Sequence, residues 1–127
     1  MKTVFQEDQY GCGTACAAML IGKSYSFAAR LVFPDRDFPK QRPISIDTKP
    51  LVQAVKEYRK EDHRARISTK RHLRDIEHDA LLIGYLMGYD DEKERMHFMV
   101  WDPKQKCVRD PKGFERPCRI TSYVAFK

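Results

Sequence analysis

Small and apolar residues run without interruption from Ala15 to Ile21, behind a polar segment that closes at Tyr10-Gly11. A stretch of that composition, opening at Cys12 and followed by Gly22, predicts a buried helix with the glycine as its stop. Ser24 and Ser26 are candidate caps for a second short helix through Phe27, Ala28, Ala29 and Leu31, ended by Pro34. Prolines and charges between Pro34 and Pro43 predict a loop. Beyond it, Asp47 or Thr48 caps a third helix with Pro50 in its first turn. Leu51, Val52, Val55 and Tyr58 fall there at helical spacing, with Lys56, Glu57 and Lys60 facing out.

After about Asp62 the pattern changes. Ala80 to Met87 is continuously apolar and reads as a buried strand, although such a run has no periodicity that excludes a helix. Met96-His97-Phe98-Met99-Val100-Trp101 is a clearer strand, Asp102 to Gln105 a turn, and Lys106 to Asp110 a returning partner that stops at Pro111. Cys118 to Phe126 alternates enough to be a last strand. Helices followed by an antiparallel sheet make an α+β layout, and 127 residues suit one domain spanning 1–127.

Composition narrows the function. A chain that is 42% hydrophobic and 33% charged is an ordinary globular one. Its longest apolar run falls far short of the roughly 20 residues of a membrane span. The first residues turn acidic where a signal peptide would be apolar. The expected location is therefore cytoplasmic, with Cys12, Cys16, Cys107 and Cys118 as reduced thiols. The net charge of +6 raises nucleic acid as a partner. Acids interleave with most of the bases, and no nucleic-acid motif accompanies the densest cluster, Arg64, Arg66, Lys70, Arg71 and Arg74. That cluster reads as a solvated face.

Candidate chemistry begins at Cys12. A thiol at the first turn of a helix meets unpaired backbone amides and the positive end of the helix dipole, which favour the thiolate. Gly11 and Gly13 on either side would let backbone and substrate approach closely. Cys16, inside the apolar run, reads as core. Of four histidines, His63, His72 and His78 lie in charged segments, whereas His97 opens an apolar strand, where a polar ring needs a purpose. A two-residue loop at Pro103-Lys104 would set Asp110 directly opposite His97, with Cβ atoms roughly 5 Å apart. A four-residue loop would slip that pairing by two positions. Asp102 is the rival carboxylate, but Asp-Pro also serves a turn. Gln6 offers a side-chain amide that could join the Cys12 backbone amide in holding an oxyanion. The spacing of Cys12 and Cys16 would admit zinc, but Cys107 and Cys118 form no second pair, so no metal or cofactor is expected.

The segment Gln6-x5-Cys12-Gly13-x-Ala15-Cys16-x-Ala18-Met19 resembles the opening motif of the C39 peptidases, in the papain-like cysteine protease superfamily. His97-Phe98-Met99-Val100 and Asp110-Pro111 resemble that family's later motifs, while Gly11 stands where the family usually has Asp. The resemblance implies a papain-like fold, with a helical part carrying the cysteine packed on an antiparallel sheet carrying His and Asp. It implies a cysteine peptidase acting on a peptide or protein substrate: Cys12 as nucleophile, His97 as general base, Asp110 as its orienter and Gln6 in the oxyanion hole. Many C39 peptidases cut leader peptides after a double glycine while fused to a transporter, which this sequence does not contain. The alternatives are the same thiol machinery used for deamidation, transglutamination or isopeptide cleavage, and a catalytically silent binding domain.

Overall fold

The computed structural model describes residues 1–60, 63–67, 72–86, 96–113 and 118–126, with backbone alone at 63–67 and 118. The basic residues Lys70 and Arg71 lie outside that set, as do the side chains of Arg64 and Arg66. Helix α1 runs over Cys12–Ile21, α2 over Tyr25–Val32 and α3 over Thr48–Arg59. Strand β1 (His63–Ile67), a 3-10 turn (Leu73–Asp75) and strands β2 (Ala80–Leu86), β3 (Met96–Asp102), β4 (Cys107–Arg109) and β5 (Cys118–Phe126) follow.

Each helix ends where its chemistry requires. Gly22 takes the left-handed conformation (φ 69°) that closes α1, and the Lys23 N–H reaches back to the Ala18 carbonyl. Ser24 caps α2 by accepting the Phe27 N–H at 3.1 Å. Asp47 occupies the cap position of α3, yet its carboxylate takes none of the first-turn amides. Arg59, near the end of α3, donates to the Leu20 carbonyl at 2.7 Å and to Asp79 at 3.0 Å. One guanidinium thereby ties α3 to α1 and to the approach of β2.

The strands form one antiparallel sheet in the order β1-β5-β2-β3-β4. Alternate residues of β2, β3 and β5 divide between two cores. Leu81, Ile83, Phe98, Val100, Val124 and Phe126 pack with Cys16, Leu20, Leu51 and Val55 of the helices. Leu82, Met99, Trp101, Tyr123 and Ala125 pack on the other side with Ile76. Trp101 donates its indole N–H to the Ile76 carbonyl, fastening the segment after the 3-10 turn over that face. Central strands covered on both faces read as unbroken apolar runs, which is why β2 shows no alternation in sequence.

The hairpin register differs from the two-residue loop. Val100 pairs with Arg109, Trp101 with Val108 and Asp102 with Cys107, so the turn holds four residues. Asp102 builds that turn: its buried carboxylate accepts the Lys104 and Gln105 N–H groups and pairs with Arg109 at 2.9 Å. The longer turn moves Asp110 from directly opposite His97 to a diagonal position beyond the end of β4.

Candidate active site

Cys12 is the first residue of α1, partly exposed, with α1 packed against β3. Its backbone N–H has no partner within the helix, as in any first turn. Burial works against its thiolate most strongly. Hydrogen bonds from His97, from the Phe98 N–H and from the Gly13 N–H, with the charge of His97, outweigh it and hold the thiol below its ordinary value of 9.0. Cys16, one turn on and fully buried, shows the opposite: burial, with Cys12 and Asp110 adding to it, pushes its thiol well up. The thiolate is therefore favoured at Cys12 and disfavoured at Cys16, which packs as core.

His97 is 2% exposed. Its Nε2 lies 2.8 Å from Asp110 Oδ1, so Nδ1 is the nitrogen left for Cys12. Burial disfavours the charged ring, but Asp110 and Cys12 together overcome it and raise His97 to about 9. A lowered thiol beside a raised imidazole favours a thiolate–imidazolium pair. Asp110 is itself fixed by the chain that follows: its carboxylate accepts the Lys112 N–H and its carbonyl the Gly113 N–H. Diagonal neighbours on one face of a hairpin remain within reach of a long side chain, so the pairing survives the shift in register. His72 and His78 are exposed and stand apart from this cluster.

The segment before α1 is pinned at both ends. Gln6 donates its backbone N–H to the Pro111 carbonyl, and Arg109 donates to the Thr3 hydroxyl. The Gln6 side-chain amide donates to the carbonyls of Asp8 (2.8 Å) and Gln9 (3.1 Å), while its Oε1 is buried and unpartnered. Both amide hydrogens are thus committed to the loop that leads into Cys12. Asp8 is the hub of that loop. Its carbonyl also takes the Gly11 N–H, and its carboxylate accepts the Tyr25 hydroxyl at 2.7 Å and the Arg42 guanidinium at 2.9 and 3.2 Å. Burial opposes the Asp8 charge, but Arg42 and Tyr25 prevail and lower its carboxyl below the usual range.

Sequence reasoning missed this network, because neither Tyr25 nor Arg42 announces itself by spacing from Asp8. The hint was a tyrosine in the first turn of α2, whose hydroxyl needs a partner once buried.

Between β3 and the loop before α3 lies a cleft of about 350 Å³ with Cys12 in its wall. Met96 and Phe98 line one side, Ser45, Ile46 and Asp47 the other, and Tyr10 completes the lining. Among the described residues no three His, Cys, Asp or Glu side chains are grouped to hold a metal ion. No helix among them is long and apolar enough to cross a membrane. No protein-family model matches the chain, and no curated protein matches it in sequence.

Proposed function

We propose that this protein is a cysteine peptidase of papain-like, C39-like type, cleaving an amide bond through Cys12, His97 and Asp110. The observation that carries the reading is the linked set of hydrogen bonds behind a cleft-lining thiol: Cys12 to His97, and His97 to Asp110 at 2.8 Å. In the reaction the Cys12 sulfur bonds to the carbonyl carbon, and the carbonyl electron pair moves onto oxygen. The Cys12 backbone N–H and the Gln6 amide hold that oxyanion. Gln6 joins by exchanging one of its loop carbonyls for an anionic, stronger acceptor. The C–N bond breaks as the His97 proton passes to the leaving amine. Water then gives a proton to His97, attacks the thioester carbon and breaks its S–C bond, restoring the ion pair and releasing the acid.

The test is iodoacetamide labelling of Cys12 against pH, located by mass spectrometry, beside digestion of a mixed peptide library. Rapid labelling at pH 6, slowed in His97→Ala, together with new peptide termini absent from Cys12→Ala, is the expected result. Labelling of Cys12 no faster than Cys107 would overturn the thiolate. A reactive Cys12 that yields only +1 Da products would transfer the chemistry from peptide cleavage to deamidation.

A further inference from the structure

The chain carries 24 Lys and Arg residues and a net charge of +6, yet among the described residues no Lys or Arg lines the cleft at Cys12. Among the described residues, the one formally charged side chain in its wall, apart from Cys12 itself, is Asp47. Three other described acids of this region are already engaged: Asp8 by Arg42 and Tyr25, Asp110 by His97, Asp102 by Arg109. Asp47 could have capped α3 and does not. It lines the cleft instead, across from the apolar Met96 and Phe98 and alongside Ile46. The thiolate, imidazolium and Asp110 carboxylate together add one further negative charge. A cleft whose lining combines apolar side chains with a carboxylate suits a side chain with an aliphatic stem and a cationic head. Tyr10 in the same lining adds an aromatic ring of the kind that attracts such a head.

We infer that the cleft selects substrates bearing a lysine or arginine side chain beside the scissile bond, with Asp47 receiving the cation. This rests on Cys12 being the reactive thiol, and the test separates the two claims. Cys12 is labelled with methanethiosulfonates that differ in charge, the 2-(trimethylammonium)ethyl and 2-sulfonatoethyl reagents. In each case the thiolate forms a mixed disulfide and expels methanesulfinate. Rates are resolved by site, with Cys107 as internal reference.

The cationic reagent is expected to be preferred at Cys12, and Asp47→Asn to reduce that preference by about threefold or more at low salt, as loss of a charge several ångströms away should. Asparagine keeps a good cap residue on α3, so folding is spared. Asp35→Asn, which removes the same charge from an exposed site outside the cleft, should leave the preference unchanged. A preference unaltered in Asp47→Asn, or lowered equally by Asp35→Asn, would overturn the inference and leave the thiolate intact. A Cys12 no faster than Cys107 with either reagent would overturn both.

Discussion

Gly11 and Gly13 flank the thiol, and each answers to a neighbour far along the chain. A Cβ at Gly11 would collide with the Tyr25 hydroxyl, and one at Gly13 would lie 2.7 Å from Ile46 Cγ2. Gly11 has φ −93° and ψ 9°, a conformation open to other residues, so its constraint is steric. From the sequence, both glycines read as room for backbone and substrate. In the structure they are room for the protein itself: one lets Tyr25 reach Asp8, the other lets the cleft wall close on α1. Gly11→Ala should therefore cost about 1–3 kcal/mol, the range for overpacking a filled site. Tyr25→Phe removes the obstructing oxygen together with one hydrogen bond to Asp8. The double variant should then lose less than the two single losses added, by about 1 kcal/mol or more. Urea denaturation of the four proteins checks this, and simple additivity would show that the tyrosine hydroxyl is not what excludes a side chain at position 11.

The element that carries His97, and leads into Asp110, is the β3–β4 hairpin, whose turn is held by Asp102. Asp102 and His97 were legible as a turn residue and a strand histidine. The register was not, because Asp-Pro opens two-residue and four-residue turns alike; here Asp102 accepts the Lys104 and Gln105 N–H groups and pairs with Arg109 in the four-residue form. Strand β1 escaped for a related reason: His63-Arg64-Ala65-Arg66-Ile67 has too few apolar positions to stand out, and it is a strand by virtue of its pairing with β5. Asp102→Asn keeps an acceptor for the turn amides and loses the ion pair, at an expected cost of about 1–3 kcal/mol at neutral pH. Burial alone would raise the Asp102 carboxyl, but Arg109 and the turn amides lower it below 3.8. Its contribution is therefore present above that value and fades as pH falls through the lowered one. Thermal melts should show wild type above the variant at pH 7, with the gap closing only in strong acid; a gap already closed at pH 5 would rule out this pair as its source.

Across the whole molecule, the reacting groups come from opposite ends of the chain: a helix start at position 12 and a hairpin at 97 and 110. Residue order and a short motif suggested which groups belong together, while their protonation depends on burial, which no sequence displays. Burial opposes both charges of the pair; His97 and the Phe98 and Gly13 N–H groups favour the thiolate, while Asp110 and Cys12 favour the imidazolium. Labelling of Cys12 and turnover of a substrate should consequently diverge with pH. Labelling needs only the thiolate, so it should rise at a pH below the ordinary thiol value and then stay level. Turnover also needs the proton that His97 gives to the leaving amine, so it should fall again near pH 9. Asp110→Asn retains a hydrogen-bonding side chain but not the charge that raises the ring. The alkaline limb of turnover should move down by about one unit or more, while melting temperature changes little. If that limb stays near pH 9 in the variant, some group other than the Asp110-supported His97 donates the proton.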